Sequence, residues 1–436
     1  MDLSPATITL LVLAVMAVFF VTEMIPLAVT AMAGAVVLGL LGVIKPNQVF
    51  TGLSNSTVVL FAAMFVIGSA MFHTGLAQFI GIKVVKACGT KEVPLMLGVG
   101  LVTAFLSSVS SNTGTCAALM PVVIAICASA GISSARQLMP LAFAASAGGT
   151  ITLVGTPPNI IGNAALTAAK FEGFGFFEFA KIGIPVTIVA LVYMVFLGRF
   201  LLPKAGLNEA EALKAASKHK GEGEAKTNDP RKMWITGLTL LGVVIVMAFE
   251  DNIKKAGIGI SLEMAATIGA IILVLTRCLT EKEAYSGIDW VTIFLFAGMM
   301  PVATAMDKSG AGKLIANFVV GMMGQDPSPY VLTAVLFAIS AFLTQFMSNT
   351  ASAALLCPLG ISIANGLGAQ PQAVVMAIAI AASCAFATPV GTPPNTLVLG
   401  AGGYKFMDYV KCGAPLVILE MIVCVVLIPM IWPFFK

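Results

Sequence analysis

The sequence predicts an all-α polytopic membrane protein built from two inverted repeats, and three observations carry that prediction. Apolar windows of about 20 residues, long enough to cross a bilayer, recur along the chain. Charged residues make up only 10% of it and hydrophobic ones 58%. Three polar-centred motifs of the first half return in the second. A mean hydropathy of +1.00 lies far outside the soluble globular range. The formal charge of +4 is small and dispersed, which argues against a nucleic-acid partner. The sequence contains no Gly-rich phosphate loop, HExxH or CxxC pattern, so the common soluble-enzyme chemistries and an organic cofactor have no motif to rest on. The eight cysteines fall almost entirely in apolar segments without metal-like spacing and read as small core residues.

Continuous spans are predicted at roughly 6–22, 26–44, 55–74, 181–202, 232–250, 259–277, 289–306 and 412–433,. The first follows MDLSP, acidic where a signal peptide is basic, and is read as a span,. Two further spans, at about 136–169 and 372–402, are broken by the same five letters, GTPPN, beginning at Gly155 and Gly391. Pro203 to Lys232 is the one long hydrophilic stretch, and its Lys/Glu/Gly composition reads as a solvated cytoplasmic linker,. The expected division is a first repeat over 1–202, a linker over 203–231 and a second repeat over 232–436.

HTGLAQFIGIKVV from His73 pairs with KSGAGKLIANFVV from Lys308, SNTGTCAALMP from Ser111 with SNTASAALLCP from Ser348, and TLVGTPPN from Thr152 with TPVGTPPN from Thr388. The offsets are 235, 237 and 236 residues, a register that chance does not keep. Each half holds five full crossings, about 10 in all, plus a polar-tipped apolar pair. Five is odd, so the second half is expected to be inverted. With the N-terminus outside, 16 of the 24 Lys and Arg residues face the cytoplasm, the orientation that the positive-inside rule favours.

The apolar arms flanking the two SNT motifs are about 16–18 residues each, somewhat short of a full span. They suit re-entrant hairpins over about 94–130 and 329–366 that bring Ser111, Asn112, Thr113, Ser348, Asn349 and Thr350 toward the midplane. Irregular backbone at that depth requires protein or a watery cavity to satisfy it. In GTPPN, Thr156 and Thr392 are placed to cap a helix, Pro157 and Pro393 suit its first turn, and the glycine relaxes the chain before it. A new half-helix then starts mid-membrane. Four such N-termini offer partial positive charge to an anion without any Lys or Arg, and the adjacent carbonyls and hydroxyls suit a small hard cation. The pattern reads as a secondary transporter moving an anion with cations.

The paired SNT tips, the GTPPN break in each half and the repeat order resemble the divalent anion/sodium symporter (DASS) family of the ion transporter superfamily, over nearly the whole chain. The resemblance implies that Ser111, Asn112, Thr113, Ser348, Asn349, Thr350, Thr392 and Pro393 contact the substrate. It implies one sodium site at Ser107, Ser111, Asn112 and Gly155, and another at Thr344, Met347 (through its carbonyl), Asn349 and Gly391. It further implies a homodimer in the cell membrane, surrounded by lipid, with an elevator-type division into scaffold and transport domains.

Other polar residues read more plainly. Glu263 near a span end is placed to reach interfacial water, His73 is placed for an interfacial role, Glu23 is placed in a turn, and Asn55 is placed to cap the third span. Three functions stay open: a sodium-coupled symporter of C4-dicarboxylates such as succinate, malate or fumarate; an exchanger or proton-coupled carrier of citrate, sulfate or arsenite type; and an intramembrane enzyme. The enzyme reading lacks paired acids, a Ser/His pair or a metal cluster at the repeat centres.

Overall fold

The computed structural model describes residues 3–89, 91–203, 207–216, 229–255, 257, 259–323 and 328–435, and among these every regular element is helical. The first half comprises α1 (Pro5–Thr22), α2 (Leu27–Leu40), α3 (Ser56–His73), α4 (Leu76–Ala87), α5 (Glu92–Val109), α6 (Asn112–Ala130), α7 (Ala135–Gly149), α8 (Pro157–Ala168) and α9 (Ala180–Leu201). After α10 (Glu209–Ala216) come α11 (Pro230–Ala248), α12 (Glu250–Lys255), α13 (Leu262–Leu275), α14 (Glu281–Ser286), α15 (Trp290–Ser309) and α16 (Ala311–Met323). The chain closes with α17 (Pro329–Leu343), α18 (Asn349–Leu367), α19 (Pro371–Ser383), α20 (Pro393–Gly402) and α21 (Phe406–Ile431).

Local chemistry sets the boundaries. Ser4 Oγ accepts from Thr7 N at 3.2 Å and starts α1, which stops where Glu23 turns left-handed at φ 50°,. Asn55 Oδ1 accepts from Thr57 N at 2.8 Å and caps α3,. Glu263 lies in the first turn of α13, half-buried at the helix end. The apolar faces of α1, α11 and α21, with Leu11, Val15, Leu238, Leu241, Ile418 and Ile422 exposed, are the surface a hydrocarbon solvent accepts.

The packing pairs of one half recur in the other. α5 lies on α7 as α17 lies on α19, and α6 on α7 as α18 on α19. Across the halves, α2 packs on α15 while α13 packs on α3, and α8 packs on α18 and α19 while α20 packs on α6 and α7. The second segment of each broken helix therefore seats against the hairpin of the other half.

Three expectations change in detail. The arms of the first hairpin are 18 and 19 residues long, not about 16 or 17, because α5 already begins at Glu92 and Ser111 caps α6 and draws Asn112 and Thr113 into its first turn. Length alone then no longer separates a re-entrant pair from two crossings. The repeated motifs at His73 and Lys308 fall largely on α4 and α16, helices beyond the predicted spans. Within the predicted linker, residues 204–206 and 217–228 lie outside the described residues, while α10 is not simply solvated: Ala212 and Ala216 are buried where it packs on α6 and α20.

Candidate functional site

The two tips are built alike. Ser111 Oγ accepts from Gly114 N at 3.3 Å, and Ser348 Oγ accepts from Ala351 N at 3.2 Å, so each SNT serine caps the helix that follows. The asparagine behind it turns inward. Ser107 Oγ lies 2.6 Å from Asn112 Oδ1 and donates to Ala145 O at 2.7 Å. Thr344 Oγ1 lies 2.7 Å from Asn349 Oδ1 and donates to Ala382 O at 2.7 Å.

Both amides can face these oxygens in two ways. With the nitrogen inward, Asn112 donates to Ala145 O at 3.2 Å and Gly155 O at 3.0 Å, and Asn349 donates to Ala382 O at 3.1 Å and Gly391 O at 2.9 Å. With the oxygen inward, each cluster gathers an amide oxygen, a hydroxyl and two carbonyls, a set of neutral hard donors of the kind Na⁺ takes.

The breaks are held to the tips by their own side chains. Asn159 Nδ2 donates to Thr152 O at 2.8 Å and Thr150 O at 3.4 Å. Asn395 Nδ2 donates to Ala385 O at 2.8 Å and Thr388 O at 2.9 Å. Thr152 Oγ1 donates to Ser108 O, and Thr388 Oγ1 donates to Gln345 O at 2.6 Å. Thr156 and Thr392 take the N-cap position with matching extended backbones, φ −143° and −144°. Neither side chain makes the expected cap bond, and Thr156 Oγ1 is buried without a partner. The GTPPN glycines serve close approach rather than backbone freedom. A Cβ on Gly155 would stand 2.4 Å from Gly149 O, and one on Gly391 would stand 2.5 Å from Thr344 O.

Between the tips opens a cavity of about 1040 Å³. Ser111, Thr113, Ser348, Met347, Gly391 and Pro393 line it, so the structure brings much of the predicted substrate set to one space. Asn112 and Asn349 are buried behind the lining. Thr392 is also buried, and Thr350 half-buried, with neither on the cavity wall. Of the predicted sodium ligands, Ser107, Asn112 and Gly155 meet in one cluster and Thr344, Asn349 and Gly391 in the other. Ser111 and Met347 face the cavity and share no hydrogen bond with the clusters. The carbonyls of Ala145 and Ala382 are additional members, since a carbonyl leaves no mark on residue type. The ionisable residues on the cavity wall are Glu23, Glu283, Asp289 and His73. His73 Nε2 lies 3.4 Å from Glu283 Oε1, tying α3 to α14.

Comparison with known proteins follows the same line. The family model described as "Citrate transporter" (CitMHS) matches residues 17–379 and 346–436. An uncharacterized transporter of Haemophilus influenzae is 30% identical over 96% of this chain and 89% of its own length. The sodium-dependent dicarboxylate transporter SdcS of Staphylococcus saprophyticus is 26% identical over 96% of this chain and 84% of its own. The fold is shared with the Alcanivorax borkumensis YdaH transporter, at TM-score 0.63 and 14% identity over 98% of both chains. Neisseria gonorrhoeae MtrF matches at TM-score 0.64 and 13% identity over 100% of this chain and 96% of its own. A family match over most of the length, together with apolar helices long enough to span a bilayer, leads to one conclusion: the chain belongs to the citrate transporter family and is a multi-pass carrier of the cell membrane, not an enzyme.

Proposed function

We propose that this carrier is a sodium-coupled symporter of C4-dicarboxylates such as succinate, malate and fumarate. The observation that supports it most is the pair of matching oxygen clusters around Asn112 and Asn349, one behind each tip. Each has neutral donors only, and each sits beside the N-terminus of the helix its tip begins. Cation binding turns the amide oxygen inward and leaves the amide nitrogen free to donate outward, so one residue serves both cargoes.

The two tips then form two similar anion subsites. Ser111 and Thr113 on one side and Ser348 on the other supply hydroxyls, and the first turns of α6, α18, α8 and α20 supply N–H groups and partial positive charge. A molecule with a carboxylate at each end satisfies both subsites. Because Glu23, Glu283 and Asp289 line the same cavity, a dianion entering alone meets like charge; bound sodium offsets that repulsion, so cations load first. The SdcS relatives, named for sodium-dependent dicarboxylate transport, agree with this reading. We further read the two halves as inverted repeats whose hairpins and broken helices form the mobile part of an elevator-type homodimer.

The test is uptake of labelled succinate into proteoliposomes with and without an inward sodium gradient. Gradient-dependent accumulation is the expected result. Equal uptake when choline replaces sodium removes the coupling assignment.

A further inference from the structure

We propose that Glu420 is a proton-binding site within the membrane, and that its proton and the cation of the second cluster oppose one another. Glu420 sits mid-way along α21 with no exposed surface, and neither carboxyl oxygen makes a hydrogen bond of acceptable geometry. The titratable groups that face it are two thiols, Cys384 just past the end of α19 and Cys424 one turn further along α21. Cys384 Sγ donates its hydrogen to Ile380 O at 3.1 Å. While that hydrogen is engaged by Ile380 O the sulfur can only accept from Glu420, so in this arrangement a carboxyl that carries its own hydrogen completes the contact and a carboxylate does not,.

Among the described residues no basic group stands close enough to offset a charge here; on α21 itself Lys411 lies nine residues before Glu420, about 13.5 Å along the helix. α21 packs on α9, α17 and α19. On α9, Lys181 lies over the Trp432 ring at 5.3 Å, twelve residues from Glu420, or about 18 Å along a helix. Gly198, beside Arg199, meets Cys412, eight residues and about 12 Å away. Tyr193 donates its hydroxyl to Cys412 O at 2.7 Å, and α17 contributes only Tyr330, exposed in its first turn. An unpaired buried charge is far costlier than a buried neutral acid.

The repeat marks the residue as more than packing. KIGIP at Lys181 and KCGAP at Lys411 align α9 with α21, which sets Glu420 opposite Ala190, a buried alanine. The fold thus closes without a carboxyl at the matching place. Its neighbour Cys384 lies two residues beyond Ala382, whose carbonyl belongs to the second oxygen cluster, and Cys384 O accepts from Gln345 Nε2 at 3.0 Å beside the second tip. Losing the proton puts negative charge next to that cluster and strengthens cation binding; regaining it weakens cation binding.

This inference rests on the sodium reading only for its second half, and the experiment separates the two. Infrared difference spectra of the purified protein between about pH 5.5 and about pH 8.5 should show a carboxylic-acid C=O band that Glu420→Gln removes. Thermal stabilisation by NaCl over choline chloride, without substrate, should show half-saturation falling roughly tenfold from the lower to the higher pH. In Glu420→Gln, half-saturation should be flat across that range. A wild-type spectrum without the band overturns the proton site, and so does a band that survives Glu420→Gln. Sodium affinity that is the same at both pH values overturns the opposition of proton and cation. Should NaCl stabilise at neither pH, the sodium reading fails, and the infrared band still decides the proton site.

Discussion

Ser107 Oγ stands 2.6 Å from Asn112 Oδ1, a contact that bridges the end of one hairpin arm and the start of the next. The same hydroxyl donates to Ala145 O on a third helix. Thr344 and Asn349 repeat the arrangement with Ala382. Tip, arm and broken helix therefore meet at one point in each half, and removing the asparagine at that point should disturb both cargoes.

Asn112→Ala and Asn349→Ala should each lower dicarboxylate uptake at least roughly a hundredfold, since each deletes a donor and an acceptor and leaves buried carbonyls without partners. Initial-rate uptake in proteoliposomes, matched for reconstituted protein, checks this. Near-normal rates in either variant would return SNT to the status of a connecting turn.

The hydroxyls should weigh mainly on the cation. Ser107→Ala and Thr344→Val remove one neutral ligand each, and a lost hydrogen-bonding group of about 1–1.5 kcal/mol corresponds to roughly a five- to tenfold rise in half-saturating sodium. Substrate competition at saturating sodium should change little. A shift in substrate preference without any change in sodium dependence contradicts the assignment.

Gly155→Ala and Gly391→Ala test the close approach of break to tip. Each new methyl would meet a backbone oxygen, Gly149 O or Thr344 O, which cannot swing away as a side chain can. The backbone should give instead, at a cost of about 1–3 kcal/mol, read as a lower melting temperature in detergent with loss of uptake.

Inversion is open to labelling. Lys83→Cys and Lys313→Cys, in a background with the half-buried Cys88 changed to serine, should react with a membrane-impermeant thiol reagent from opposite sides. Reaction of both from one side would end the inverted reading.

Substrate preference should follow the two-subsite geometry. Succinate, malate or fumarate should compete for uptake more strongly than sulfate, and monocarboxylates, which leave one subsite empty, should compete poorly. Sulfate outcompeting all three would change the cargo while leaving the fold intact.

What the sequence reveals follows from which atoms carry the function. Long apolar runs and the repeated SNT and GTPPN letters mark α1, α3, α15 and both breaks within a few residues, because span length and proline chemistry are written in residue type. Asn112, Asn349, Gly155 and Gly391 stand out by the same repetition. The carbonyls of Ala145 and Ala382 do not, since any residue supplies a carbonyl and only the fold decides which points inward. Thr156 and Thr392 look like caps, yet their hydroxyls make no cap bond, because the tertiary turn of the break fixes the backbone first. Glu420 is visible as the lone acid in LVILEMIVCVV, but only its burial between Cys384 and Cys424 distinguishes it from a charge at a span end.

The most direct measurement of the central claim is the binding of radiolabelled sodium to purified protein, in wild type and in the two asparagine variants, with and without succinate. Two sodium ions per protomer are expected in the wild type, tightened by succinate, with loss of one site each in Asn112→Ala and Asn349→Ala. Sodium binding that is unchanged in both variants, or undetectable in the wild type while succinate still binds, would contradict it.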